Sequence, residues 1–307
     1  MLVAGGELLL RARREGYAVG AFNIQNLEGL WAVTGAAVEE RSPVIVAVSP
    51  GAIRYGGLRL LATAVRTVAE DLPVPLALHL DHGEDLETVS RCLEAGFTSV
   101  MIDGSHLPFR ENVDLTRKAV ELAHPRGVSV EGELGRLAGM EEKSVEEREA
   151  LLTDPAQAEE FVRLTEVDSL AVSIGTSHGA YKFRGEPRLD FERLKLIRER
   201  VEVPLVLHGA SSVPLWAVEK ASRYGAQLQG AKGIPEEHLR RAISLGIAKV
   251  NIDTDLRLAF TATVREVLAT SPGEFDPRKI LGPAREAMKE VVREKMRLFG
   301  SSGRAAG

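Results

Sequence analysis

PLALHLDHG, residues 75–83, is an apolar run that ends in a carboxylate, an imidazole and a glycine. A segment that is apolar and then abruptly polar, with a glycine, reads as a buried strand emerging into a loop. Two other stretches repeat the pattern: SLAVSIGTSHG (169–179) and PLVLHGASS (204–212). In all three a histidine stands immediately before a glycine: His82, His178 and His208. The chain has seven histidines, so three in one context point to a shared role. Three imidazoles from three strand ends can hold one divalent metal and leave a coordination position open for substrate.

Five more runs have the same look: AVGAFNI (18–24), PVIVAVSP (43–50), FTSVMIDGS (97–105), GVSVEGELG (127–135) and AKVNIDTD (248–255). Most of the eight are near-continuous Val, Ile, Leu and Ala, the mark of strands covered on both faces. Between them lie segments with helical spacing, such as LRLLATAVRTVAEDL (58–72) and LTRKAVELAHP (115–125). Eight strand–helix units predict an α/β fold, a (β/α)8 TIM barrel with its active site at the C-terminal ends of the strands. An open, doubly wound sheet is the alternative. Residues 1–307 read as one domain, with no internal repeat. Residues 136–150 (RLAGMEEKSVEEREA) form a charged connection of lid-like length after the fifth strand. Residues 179–189 (GAYKFRGEPRL) are rich in glycine and basic side chains, and residues 213–238 insert an extra helix and turn. The closing GSSGRAAG, 300–307, reads as a flexible tail.

At 307 residues the chain can bury a large core, and 44% apolar with 27% charged residues is ordinary for a soluble protein. A net charge of −5 argues against general nucleic-acid binding. No stretch approaches a membrane span, and the N-terminal segment lacks the charge order of a signal peptide. The single cysteine, Cys92, fits a reducing, cytoplasmic setting and reads as a packing residue. Asparagine and glutamine are scarce while arginine and glutamate abound. That is the composition of heat-adapted proteins, and a codon bias toward arginine and alanine would look similar.

Polar groups cluster where the runs end: Asp81, His82, Asp103, Glu131, Glu133, His178, His208, Asn251, Asp253 and Thr254. In a barrel all strand ends open onto one face, so these residues converge. His79, two residues before Asp81 and without a following glycine, reads as structural or as a partner to a ligand. Asp103 and Glu133 could be such partners, metal ligands or helix caps. Asp81, beside His82 at a strand end, is placed for proton transfer to a bound substrate. The small, glycine-containing segments GTSHGAYKF, HGASS and NIDTD let backbone N–H groups approach an anion, with Lys182 as a positive charge. The loops after the seventh and eighth strands of barrels often bind phosphate.

AFN (21–23), LHLDHG (78–83), MIDGSHLPF (101–109), VEGELG (130–135), GTSHGAYK (175–182), LHGASS (207–212) and KVNIDTDLR (249–257) together closely resemble class II fructose-bisphosphate aldolase. The resemblance runs in order over almost the whole chain. It implies a metal-dependent barrel enzyme, zinc with cobalt possible, that cleaves fructose 1,6-bisphosphate reversibly to dihydroxyacetone phosphate and glyceraldehyde 3-phosphate. By motif, His82, His178 and His208 would ligate the metal, with Asp103 and Glu133 matching an alternative, displaced position. Asp81 matches the residue that exchanges the proton of the C4 hydroxyl. Glu141 matches the flexible glutamate that moves the proton at the carbanion carbon, with Glu142 adjacent. Gly179, Lys182, Gly209, Ser211 and Thr254 match the site for the dihydroxyacetone phosphate end, alongside a monovalent cation. Asn251 would help hold the enediolate, Asp253 would contact substrate hydroxyls, and Asn23 is a further polar contact. Arg278, in FDPRK (275–279), resembles an arginine that reaches a neighbouring subunit, so a homodimer or homotetramer is expected.

Three other readings share parts of this pattern. A tagatose-bisphosphate aldolase differs in stereochemistry at C4 and shares the motifs. A zinc hydrolase on the same barrel commonly has an H-x-H pair, which LHLDH lacks. A non-catalytic sugar-phosphate binder would keep the phosphate loops. A Schiff-base aldolase needs a reactive lysine, and no lysine ends a core strand: Lys249 starts the eighth run and Lys182 lies on a loop.

Overall fold

In the computed structural model, residues 1–135, 151–176, 189–228 and 231–305 are described. Eight parallel strands close into a barrel in chain order. They are β1 (Val19–Asn23), β2 (Val44–Val48), β3 (Leu76–Gly83), β4 (Ser99–Ile102), β5 (Ser129–Leu134), β6 (Ser169–Val172), β7 (Leu205–Leu207) and β8 (Ile247–Ile252). β8 pairs with β1, with Val19 opposite Lys249 and Ala21 opposite Asn251, which closes the ring and excludes the open-sheet alternative. Every strand is buried along nearly its whole length, as the continuous apolar runs require.

Helix α1 (Gly5–Glu15) precedes the barrel and packs on β8, β3, β1 and β5. Leu8, Leu9 and Ala12 join Val19, Ala21, Ile45 and Ala77 in one apolar cluster, so the helix plugs the N-terminal end of the barrel. Close approach explains its glycines: a Cβ on Gly5 would lie 2.7 Å from Ser99 Oγ, and the Gly6 N–H donates to Ser129 Oγ at 3.0 Å. The outer helices follow: α2 (Leu27–Glu39), α3 (Pro50–Gly56), α4 (Leu58–Glu70), α5 (Leu86–Ala95), α6 (Phe109–Ala123), α7 (Pro155–Thr165), α8 (Phe191–Arg200), α9 (Leu215–Arg223), α10 (Glu236–Ser244), α11 (Thr254–Thr270) and α12 (Pro277–Phe299). Asn26, Ser49, Asp85, Asp154, Asp190 and Asp276 cap helix starts, each accepting a first-turn N–H. Cys92 is fully buried on α5, a packing residue as expected.

The stretch 213–238, read from the sequence as an insertion, contains α9, whose Ala217 and Ala221 pack with Val213 against Leu258 and Ala262 of α11. The long stretch 136–150 and all but the last residue of 179–189 lie outside the described residues.

The expectation of a flexible tail over 300–307 is corrected for residues 300–305. Ser301 is fully buried, with its Oγ 2.8 Å from Ser42 Oγ. The N–H groups of Gly303 and Ala305 donate to the carbonyls of Glu40 and Arg41 at 2.8 Å. The Glu40 carboxylate accepts from Arg293, Arg297 and Ser302, tying α12 and the terminus to the end of α2. Small and polar composition suggested a loose end, but hydrogen bonding of backbone decides such cases. Deleting residues 300–307 should therefore lower the stability by about 2–4 kcal/mol, the sum of three or so net hydrogen bonds. Chemical denaturation of the truncated and full chains measures this, and an unchanged midpoint would restore the loose-tail reading.

Candidate active site

The barrel interior is layered. Above the α1 plug lies a polar layer made by His79, Ser99, Glu131, Ser169 and Lys249, none more than 7% exposed. Residues two positions further along the same strands, Asp81, Glu133 and Asn251, form the next layer toward the C-terminal rim.

Lys249 is fully buried, and its ammonium donates to Glu131 Oε2 at 2.7 Å and to His79 Nε2 at 3.1 Å. An ammonium has no acceptor, so His79 Nε2 is the acceptor and its Nδ1–H faces Ser99 Oγ at 2.8 Å. Burial, with the Lys249 charge, pushes His79 down to about 3, so it is neutral. Glu131 is drawn the other way: burial opposes its charge, but Lys249 and the His208 hydrogen bond hold it below the usual carboxylate range. His79 thus lies in the structural role expected of it.

The next layer holds the imidazoles. His208 follows β7 and sends Nε2–H to Glu131 Oε1 at 2.8 Å. His82 sits near the end of β3, where the register slips between Leu80 and Gly83 and the His82 φ is 50°. A positive φ at a non-glycine, with a local bulge, redirects a side chain. It lets Asp81 and His82 face one pocket although they are sequence neighbours. His82 Nδ1 donates to Asp103 Oδ2 at 2.8 Å, and Asp103 also accepts from Ser105. Each histidine therefore commits one nitrogen to a carboxylate, and the remaining nitrogens, His82 Nε2 and His208 Nδ1, face each other at 3.1 Å. Glu133 Oε2 is buried without a hydrogen bond among the described residues, 3.3 Å from His208 Nδ1. Two imidazole nitrogens and an orphaned carboxylate oxygen aimed at one point are a donor set for a divalent cation. Asp81, His82 and His208 meet the spacing for one ion, as do His82, Asp103 and Glu133.

Asp81 is held by two amides: Asn23 Nδ2 donates to Oδ2 at 2.7 Å and Asn251 Nδ2 to Oδ1 at 2.8 Å. Burial raises its pKa, but the charges of His82, His208 and Lys249 outweigh that and keep it ionised. Asn251 Oδ1 is buried and makes no hydrogen bond among the described residues. Asp253 accepts from Gln25 Nε2 at 3.1 Å and Arg257 Nε at 2.8 Å, and burial raises its pKa. Gly209 has a φ of 59°, Ser211 is buried, and Thr254 opens α11, so the loops after β7 and β8 lie at the same rim. Arg278 is exposed and pairs with Asp276 at 2.8 Å at the start of α12, apart from this cluster. Glu141, Glu142, His178, Gly179 and Lys182 lie outside the described residues.

A cavity of about 440 Å³ opens beside Asn23, lined among others by Gln25, Ser49, Tyr55, Arg257 and Phe260. The sequence reading singles out none of these five. They are single polar or aromatic residues after β1, β2 and β8, and only Arg257 falls in a quoted motif, as the last residue of KVNIDTDLR.

The sequence profile described as "Fructose-bisphosphate aldolase class-II" matches residues 3–227 and 227–304. The chain belongs to the class-II fructose-bisphosphate aldolase family. It is 57% identical to a protein named fructose-bisphosphate aldolase from Thermus caldophilus, over 99% of this chain and 100% of that one. A Helicobacter pylori protein of the same name is 51% identical, again over 99% and 100%. Among solved structures, the YdjI aldolase from Escherichia coli K12 superposes with a TM-score of 0.82 at 36% identity, covering 99% of this chain and 100% of that one. The family is metal-dependent, in keeping with the two groups that could hold an ion, Asp81 with His82 and His208, and His82 with Asp103 and Glu133.

Two measurements test the electrostatics. In the metal-free protein burial works against the His208 charge, but the hydrogen bond to Glu131 and the adjacent Glu133 carboxylate raise its pKa to about 10. A folded-state pKa above the unfolded value of about 6.5 gives stability that is complete below that pH. This contribution should drain away as pH rises from about 6.5 toward 10, and His208→Gln should flatten the curve. Calorimetry of metal-free protein across that window decides, and a rise in melting temperature would contradict the assignment. Secondly, Glu131→Gln should weaken zinc binding roughly 10- to 100-fold, because the amide no longer fixes the His208 tautomer. Competition with a chromogenic chelator reads the affinity; parity with wild type would show that Glu131 has no such role.

Proposed function

We propose that this chain is a zinc-dependent fructose-bisphosphate aldolase that splits fructose 1,6-bisphosphate reversibly into dihydroxyacetone phosphate and glyceraldehyde 3-phosphate. The observation that carries the reading is the meeting of His82 Nε2, His208 Nδ1 and Glu133 Oε2 beside the amide-held Asp81. Family membership supports it, as do the names of the relatives.

His82 and His208, with His178 as third ligand, would hold zinc, or cobalt in its place, while Asp103 and Glu133 serve a displaced position. The cation, when bound, supplies Lewis-acid stabilisation of the negative charge left by breaking the C3–C4 bond. The chain's own residues do the rest. The ionised Asp81 accepts the proton of the C4 hydroxyl, its two oxygens oriented by Asn23 and Asn251. Asn251 has an amide oxygen that is unpaired among the described residues and would receive a substrate hydroxyl, and Asp253 offers a second polar contact. Glu141 would return a proton to the carbanion carbon. Gly179, Lys182, Gly209, Ser211 and Thr254 would receive the phosphate of the dihydroxyacetone half, with a monovalent cation beside it. Arg278, exposed on its own subunit, fits a role in a neighbour's site and so a homodimer or homotetramer. No helix of the described residues is long and apolar enough to cross a membrane, and a cytoplasmic enzyme of a heat-adapted cell fits the composition.

The purified protein should cleave fructose 1,6-bisphosphate, lose activity with chelator and regain it with zinc or cobalt. Asp81→Asn should cut kcat by about 10²–10⁴-fold while keeping bound metal. Assaying tagatose 1,6-bisphosphate in parallel separates the two sugars: a large preference for tagatose changes the substrate. Cleavage that survives complete metal removal rules out the mechanism.

A further inference from the structure

Asp255 and Lys295 form a second buried ion pair, outside the metal cluster. Asp255 is fully buried in the first turn of α11, and Lys295 is 3% exposed on α12. The Asp255 carboxylate accepts the N–H of Ser212 at 3.1 Å and of Val213 at 2.8 Å. The Lys295 ammonium lies 3.4 Å from Asp255 Oδ2 and donates to Ser212 Oγ at 2.9 Å. Three of these contacts fall on the segment that follows His208 and Gly209, and the fourth ties the two charges to each other. That segment ends in a strained residue: Val213 has a φ of 55°. A β-branched residue avoids this region, and such an outlier persists only where its surroundings over-determine it.

The insertion grips the same segment from another side. The Ile234 N–H donates to the Ser211 carbonyl at 3.1 Å. A Cβ on Gly233 would lie 2.4 Å from the Ser211 oxygen, so only glycine lets the backbone pass. Val213 itself packs under α9 and α11. The Ser211–Val213 turn is thus held by α11, α12 and the insertion together, far more firmly than an ordinary surface loop.

We propose that Asp255, neutralised and braced by Lys295, is a positioning residue that fixes the Gly209–Val213 loop for the phosphate end of the substrate. This rests on the reading of Gly209, Ser211 and Thr254 as the phosphate site. The chemistry requires both partners. Asp255 supplies two acceptors for two adjacent N–H groups, which a neutral amide cannot match. A lone carboxylate so near an incoming phosphate would repel it, and the Lys295 charge cancels that field. The pair also joins the two phosphate loops, because Asp255 follows directly on Asp253 and Thr254 after β8.

The test uses the zinc-loaded full chain, with inorganic phosphate as the probe and fructose 1,6-bisphosphate as substrate. Asp255→Asn should raise the phosphate Kd and the KM about tenfold, with bound zinc per subunit unchanged and kcat within about threefold. Adding Val213→Gly to that variant should recover at least half of the loss on a logarithmic scale, because glycine adopts the positive φ without the clamp. A merely structural pair would lower the melting temperature and leave phosphate binding alone; that result, or failure of Val213→Gly to recover affinity, overturns the proposal. Should Asp255→Asn not fold, Lys295→Met carries the same test: a threefold or larger rise in phosphate Kd supports the clamp and an unchanged value overturns it. Wild-type protein that neither binds phosphate nor cleaves the sugar would remove the site reading itself, and the clamp with it.

Discussion

The arrangement of this barrel depends on one cation, the ammonium of Lys249, in the centre of a closed ring of strands. A charge in that position is tolerated only with a counter-charge and hydrogen-bond acceptors, because desolvation costs several kcal/mol per ion. Glu131 and His79 provide them, from strands on other sides of the ring. The consequence reaches upward. Glu131, kept ionised by Lys249, has one oxygen left for His208, and that contact decides which imidazole nitrogen looks into the site. Below, the α1 plug supplies the apolar floor that keeps water from the pair.

The rim repeats the logic with different partners. Asp103 does for His82 what Glu131 does for His208, and two amides do for Asp81 what no cation does directly. Among the described residues, His82, His208 and Asp81 thus have their orientation set from behind. Catalytic sites need this, since a loose ligand or base loses most of its advantage. The strain at His82 belongs to the same scheme, at a strand end that turns its residues toward the mouth, while that at Val213 lies further on, in the loop between β7 and α9.

Much of this was legible in the chain. The apolar runs marked all eight strands, and the polar residues at their ends marked the rim. His79 with Asp81, Glu131 with Glu133, and Lys249 with Asn251 are each two apart, which places each pair on one face of a strand. That spacing was available as a sign of stacked interior layers, but runs buried on both faces hide which parity points inward. Lys249 therefore read as the start of a strand rather than as its central charge. Asp255 was visible in NIDTD, yet its partner is forty residues on in a different helix, and only closure of the fold unites them. The terminus misled because composition reports on solvation, not on which carbonyls lie open to receive its N–H groups. Gln25 and Ser49 gave no sign because an isolated polar residue after a strand is commonplace.

The Lys249–Glu131 pair also has a consequence for a chain still being synthesised. The two residues are separated by 118 positions. A nascent chain that has made five or six strands carries an ionised carboxylate on what must become an interior wall, with nothing yet to neutralise it. Such a half-barrel cannot dry its lumen, and it must keep that wall wetted until the eighth strand leaves the exit tunnel. Closure then becomes a single late event, and the stalled intermediates would be the ones chaperones meet.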